Sequence, residues 1–356
     1  MLDKSKIRKD ILKLSNKGRK ILMKGFAQFL DKNKDLFTLQ DIMKLITVDN
    51  QQFFGDLAEG ASVDDLYGLM ERDHMINLAK LFRYATDFQA EYNMKIKPIP
   101  EDVKIEEINI EGIPAEWQIN PRVSDDRVLL YFHGGGQILG SPKNSRPLTV
   151  EIGRVCNMKV LSVDYSLAPE KPFPAGMNDA IKSYQWLLSN AVKPENIVVG
   201  GASAGGNMAC AMLLKARDEE LPLPKGAICL SPGIDYTPDS KTILTNAPTD
   251  PVLADVGIFW WIPAYVAGHN PYDPYVSPVH SDPKGLPPIL VQASKTEMLY
   301  DHSTRFVEKA KAAGVDATLQ DWDDMPHVWQ TYFTENLPEA RKAINKIGEF
   351  VKKLFN

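Results

Sequence analysis

Asn196-Ile197-Val198-Val199-Gly200-Gly201-Ala202-Ser203-Ala204-Gly205-Gly206 is the stretch on which the reading of this 356-residue chain turns. The β-branched run Ile197-Val198-Val199 has the composition of a short buried strand, and a helical pattern runs from Gly206 through Arg217. A serine between such a strand and such a helix sits on a tight turn that forces its φ to values side chains disfavour. Gly201 and Gly205 flank it because the turn leaves little room for bulk. The turn lifts the Ser203 hydroxyl above the sheet edge. The helix beginning there aims its free amides and positive dipole end at the same point, where negative charge develops in acyl transfer.

About 70 residues earlier, the apolar run Val128-Leu129-Leu130-Tyr131-Phe132 ends in His133-Gly134-Gly135-Gly136. The run reads as a second buried strand, and its glycines leave backbone N–H groups uncovered. The N–H groups of Gly134 and Gly135, with that of Ala204, are assigned to an oxyanion hole, and His133 is read as structural. Either segment alone is compatible with a plain glycine turn. Both together, each following a strand, predict nucleophilic catalysis by Ser203.

A serine nucleophile needs a base, and four histidines follow it. His269 and His280 lie among loop-forming residues, and His302 begins a helix pattern. His327 stands in Asp324-Met325-Pro326-His327-Val328-Trp329, directly after the strand-like Ala317 to Trp322, and is expected to be the base. Two carboxylates, Glu297 and Asp301, follow the strand Pro288 to Ser294, and either is chemically able to orient an imidazole. Asp301 also suits a helix cap before His302. Asp321, Asp323 and Asp324 read as solvated or turn-forming.

With these segments and Val163-Asp164-Tyr165-Ser166-Leu167-Ala168-Pro169-Glu170-Lys171-Pro172-Phe173-Pro174, the chain from about Val128 onward resembles the hormone-sensitive-lipase-like family of α/β-hydrolases. These are esterases and lipases with an HGGG segment and a GxSAGG turn. The resemblance implies an α/β fold, a mostly parallel central sheet flanked by helices and covered by a helical cap. It implies a carboxylesterase that works through an acyl-enzyme, with Ser203, Glu297 and His327 as the triad. Glu297 occupies the place of the family's usual aspartate and Met298 that of its proline. It further implies that Tyr165 and Glu170 support the oxyanion loop, and that two copies pair through the last edge strand as a homodimer. An amidase with the same triad is a rival reading. A non-catalytic receptor on the same fold is a more distant one, because His327 is present.

The expected domains are an N-terminal helical cap region over 1–95, a catalytic domain over 96–232 and 279–356, and a second cap segment over 233–278. Helical patterns lie near Ile7 to Phe29, Leu39 to Ile46 and Leu66 to Ala90. Edge strands are expected at Val103 to Ile110 and Ala115 to Ile119, and parallel strands at Val128 to Phe132, Lys159 to Asp164, Ile197 to Val199, Gly226 to Leu230, Ile289 to Ala293 and Ala317 to Trp322. The second cap segment contains Phe259-Trp260-Trp261-Ile262. Trp260 and Trp261 are assigned to substrate binding, with cap core as the alternative. Gln137, after the glycine run, is assigned there too, and a polar group beside the substrate favours short to medium acyl chains over long-chain lipid.

The chemistry requires no cofactor and no metal: the histidines are scattered and Cys156, Cys210 and Cys229 lack ligand spacing. An odd cysteine count suits free thiols in a reducing compartment, so a cytoplasmic location is expected. A net charge of −5 argues against general nucleic-acid binding, and no apolar run approaches the roughly 20 residues needed to span a bilayer. Residues 1–24 are strongly basic. Their interleaved Ile7, Ile11, Leu14, Ile21, Leu22 and Phe26 suit a helix packed on its own protein more than one lying on anionic lipid, so no stable membrane insertion is expected.

Overall fold

The computed structural model describes residues 2–33, 72–254, 261–333, 335 and 337–356. The expected helix at Leu39 to Ile46, the first part of the one at Leu66 to Ala90, and Trp260 lie outside the described residues. Eight strands form one sheet in the order β1-β2-β4-β3-β5-β6-β7-β8. These are β1 (Lys104–Ile110), β2 (Ile113–Ile119), β3 (Val128–Phe132), β4 (Lys159–Val163), β5 (Ile197–Ala202), β6 (Gly226–Leu230), β7 (Ile289–Ser294) and β8 (Ala317–Trp322). β1 and β2 form an antiparallel hairpin, β2 joins β4 antiparallel, and every pairing from β4 to β8 is parallel.

The continuous apolar runs follow from coverage on both faces. Leu129, Tyr131, Val160, Val198 and Ile228 pack with residues of α3 (Pro142–Cys156) and α9 (Pro338–Phe355). Their alternate neighbours Leu130, Phe132, Leu161, Val163 and Val199 pack with α4 (Ala175–Ser189), α5 (Ala204–Asp218) and α8 (Tyr300–Ala312). Successive strand residues point to opposite faces, so a sheet covered on both sides asks for apolar residues at every position.

The N-terminal region contributes α1 (Lys9–Lys32) and α2 (Arg72–Ile96). They approach closely where Gly25 meets Ala85, so that a Cβ on Gly25 would lie 2.7 Å from the Ala85 Cα. Phe26 meets Phe82 edge-on at 5.0 Å beside this crossing. Arg8, at the N-cap of α1, and Lys17 within it pair with Glu339 and Glu335, each at 2.8 Å. No described helix is long and apolar enough to cross a membrane. Between β6 and β7 run two shorter helices, α6 (Thr242–Thr245) and α7 (Trp261–Val266).

Candidate active site

Ser203 stands between the last residue of β5 and the first of α5, with φ 54° and ψ −119°. Such a conformation costs on the order of 1–3 kcal/mol in a non-glycine residue and persists only where its surroundings enforce it. Here the Ser203 N–H donates to the Leu230 carbonyl at 2.8 Å, and the Ser203 carbonyl accepts from Gly206 at 2.9 Å and Gly233 at 3.1 Å. The flanking glycines are required by contact: a Cβ on Gly201 would collide with the Gly205 carbonyl, and one on Gly205 with the Phe132 carbonyl. β5 runs on through Gly200 and Gly201 to Ala202, past its expected end at Val199, because the parallel ladder to β6 continues to Ala202–Leu230. The strand therefore carries the serine rigidly to the sheet edge.

The glycine loop after β3 packs against this turn. A Cβ on Gly134 would lie 2.8 Å from the Ala202 carbonyl and 3.3 Å from the Ser203 Cβ. The N–H groups of Gly134, Gly135 and Ala204 donate to no other group among the described residues. His133 is buried with its Nδ1 2.9 Å from the Gly134 carbonyl, and it stacks on Tyr165 with ring centroids 4.3 Å apart. Burial pushes its pKa down to about 4, so it stays a neutral packing residue. The Tyr165 hydroxyl donates to the His133 carbonyl at 2.7 Å. Glu170 grips Arg83 of α2 through two 2.8 Å bonds, and Arg83 in turn donates to the carbonyls of Ile138 at 2.7 Å and Ala168 at 2.8 Å. Arg83 thereby ties α2 to the loop that follows the glycine run.

His327 and Glu297 meet. The imidazole Nδ1 lies 2.6 Å from Glu297 Oε2, and Glu297, fully buried, accepts from the Ser294 N–H at 2.7 Å through its other oxygen. His327 Nε2 is buried and bonded to nothing among the described residues, which leaves it as an open proton-accepting position. The loop is fixed from β6 and β7: the Ser231 hydroxyl accepts from the Val328 N–H at 3.2 Å, and the Ser294 hydroxyl from the Met325 N–H at 3.1 Å. Leu230 holds the Ser203 turn and Ser231, its neighbour, holds the histidine loop, so both are anchored at the end of β6.

One expectation needs correction. Asp301 does not cap its own helix: it lies inside the first turn of α8, with Leu299 at the N-cap position. Its carboxylate instead accepts from the Ser240 hydroxyl, the Lys241 N–H and the Thr242 N–H and hydroxyl, anchoring the start of α6. The helix starts two residues early, at Tyr300, because the turn closed by Tyr300 N–H to the Glu297 carbonyl runs straight into it. Gln137 does line the cavity, yet its amide is engaged, accepting from the Tyr236 hydroxyl at 2.6 Å and reaching the Ala204 carbonyl at 3.5 Å. Trp261 lines the same cavity and lies against Gly136, where a Cβ would strike its indole.

The cavity is small, about 40 Å³, and reaches from Ser203 between the glycine loop and the segment that follows β6. Among its lining residues is His302, whose place in a helix pattern gives no sign of a site. Asp250 likewise stands in no sequence motif. It is buried, accepts from the Val252 and Leu253 N–H groups with one oxygen, and takes the Met298 N–H with the other at 2.9 Å, directly beside Glu297. Burial raises its pKa, and the neighbouring His327 pulls it back down. No cluster of three or more His, Cys, Asp or Glu suited to a metal occurs among the described residues.

Residues 129–331 match the family described as the alpha/beta hydrolase fold. An acetyl-hydrolase of Streptomyces hygroscopicus is 37% identical over 238 residues, which are 67% of this chain and 79% of that protein. An esterase of Acinetobacter venetianus is 34% identical over 73% of this chain and 86% of its own length. Among solved structures, an esterase from the bacterial hormone-sensitive lipase family superposes with a TM-score of 0.73 at 36% identity, covering 90% of this chain and 100% of the other.

Proposed function

The chain belongs to the hormone-sensitive-lipase-like family of α/β-hydrolases, and on that premise we propose that it hydrolyses short-chain carboxylic esters through an acyl-enzyme on Ser203. The observation that carries this reading is the 2.6 Å contact of His327 Nδ1 with a fully buried Glu297, which leaves Nε2 as the open nitrogen. His327 Nε2 takes the proton from the Ser203 hydroxyl as its oxygen attacks the ester carbonyl. Glu297 keeps the Nδ1–H tautomer in place and stabilises the imidazolium that forms. The N–H groups of Gly134, Gly135 and Ala204 receive the oxyanion, each typically contributing about 3–4 kcal/mol to the transition state. The proton on Nε2 then passes to the departing alkoxide oxygen, and the alcohol leaves. A water gives a proton to Nε2, attacks the acyl carbonyl, and the collapsing intermediate returns that proton to Ser203.

Cavity size supports the short-chain preference. By the measure in which one water needs roughly 10–15 Å³, a 40 Å³ space accepts a group of few heavy atoms, the size of an acetyl to butyryl chain. The 1–95 helices and the 233–278 segment act in this reading as the cap, with Leu253, Trp261 and Ile262 forming the cavity roof. The test is hydrolysis of p-nitrophenyl esters from C2 to C16. The reading expects kcat/KM to peak at C2–C4 and to fall by roughly 10³ or more in Ser203→Ala. A peak at C10 or above overturns the chain-length assignment, and retained activity in Ser203→Ala overturns the nucleophile.

The reading includes a cytoplasmic location, supported by three buried free cysteines, and a homodimer built on β8. β8 ends the sheet, so one of its edges pairs with no strand among the described residues.

A further inference from the structure

His302 sits in the first turn of α8, 1% exposed, and lines the cavity that opens on Ser203. Neither ring nitrogen has a hydrogen-bond partner among the described residues. The surrounding wall of Ile243, Leu253, Ile262 and Leu299 offers none. Three other polar side chains of the cavity already have partners. Gln137 and Tyr236 bond each other, and Asp235 accepts from Thr237 and, at 2.5 Å, from Arg305. A buried imidazole with both nitrogens unsatisfied is costly to keep unless something that binds there completes it. We propose that His302 is a specificity residue that hydrogen-bonds a hydroxyl or carbonyl oxygen carried by the ester within a few bonds of its scissile carbonyl.

The chemistry of the ring narrows the class. Burial holds its pKa below 6.5 even though Asp235 and Asp301 draw it upward, so the ring is neutral and carries one donor and one acceptor nitrogen. A hydroxyl answers either nitrogen, a keto oxygen only the donor. Because the cavity admits few heavy atoms, the polar group must lie close to the ester, as in a 3-hydroxyacyl chain or a 2-hydroxyalkyl alcohol. A site built to bond a hydroxyl discriminates strongly against the analogue that lacks it, because its own polar group is then left unpaired.

This inference rests on the ester-hydrolase reading, so the experiment separates the two. Ethyl 3-hydroxybutyrate is compared with ethyl butyrate, and 2-hydroxypropyl acetate with propyl acetate, in the wild type, His302→Leu and His302→Asn, with melting temperatures confirming that each variant folds. The hydroxylated member of one pair is expected to show about ten-fold higher kcat/KM in the wild type. His302→Leu is expected to bring that ratio to about one, chiefly by losing the hydroxylated ester, while His302→Asn keeps part of it. The pair that responds assigns the subsite to the acyl or the alcohol side. A wild-type ratio near one in both pairs, or an unchanged ratio in His302→Leu, overturns the proposal. Calorimetric binding of 3-hydroxybutyrate, butyrate, 1,2-propanediol and 1-propanol to Ser203→Ala makes the same comparisons without turnover. If no ester is cleaved, the hydrolase reading falls and this binding ratio still decides the role of His302.

Discussion

Glu297 and Asp301 stand four residues apart at the end of the same strand and have different work. Glu297 touches the His327 imidazole, whereas Asp301 is consumed by four donors at the start of α6. Glu297→Gln keeps the shape but loses the charge that stabilises the imidazolium, so kcat is expected to fall by roughly 10²–10⁴. Asp301→Asn is expected to change kcat by only a few fold while lowering the melting temperature. Steady-state kinetics and thermal unfolding of both variants check this, and a reversal of the two kinetic effects would move the acid to Asp301. At this scale the sequence was most readable where sterics or chain order leave few options. Ser203 needs glycines on both sides, and His327 is the histidine that follows the last strand. His302 and Asp250 were hidden because neither belongs to a catalytic motif. Their burial, and their neighbours Asp235 and Met298, come from distant parts of the chain.

Among elements, α2 is the one whose role exceeds its sequence signal. Its periodicity announces an amphipathic helix and nothing more. Yet Arg83 reaches from it to two carbonyls of the oxyanion loop region and to Glu170. Arg83→Met removes those charged bonds while keeping the side chain's apolar length. We expect a loss of roughly 1–3 kcal/mol of stability from the two carbonyl contacts, with little added by the partly exposed Glu170 pair. kcat is expected to fall about ten-fold, with KM nearly constant if the loop loosens without closing the cavity. Denaturant unfolding and p-nitrophenyl acetate kinetics read both effects, and an unchanged kcat would show that the loop holds its shape without α2. The strands β3, β4, β6 and β7 were legible to within a residue, because each is a short, mostly apolar run bounded by glycine, proline or charge. β5 was cut short at Val199 because Gly200 and Gly201 carry no β signal of their own. They remain in the ladder through pairing with Tyr131 and Phe132 of β3 and with Ile228 and Cys229 of β6.

Over the whole molecule, the parallel order from β4 to β8 delivers the ends of β3, β5, β6, β7 and β8 to one edge, where five loops meet. The glycine loop follows β3, the serine turn follows β5, the glutamate turn follows β7 and the histidine loop follows β8. β6, between them, steadies two of these through Leu230 and Ser231. The alternation of strands and helices made this architecture readable, but the cavity was not. Its wall is assembled from the oxyanion loop, the 233–278 segment and α8, and no single stretch of sequence carries its size. The central claim is that these loops make one nucleophile out of Ser203. Its most direct measurement is covalent labelling with diethyl p-nitrophenyl phosphate, read by intact mass and peptide mapping. One diethylphosphoryl group per chain is predicted, on Ser203, with activity lost in proportion and labelling slowed by roughly 10³ or more in His327→Ala. Labelling at another residue, or full activity remaining after Ser203 is labelled, would contradict the account.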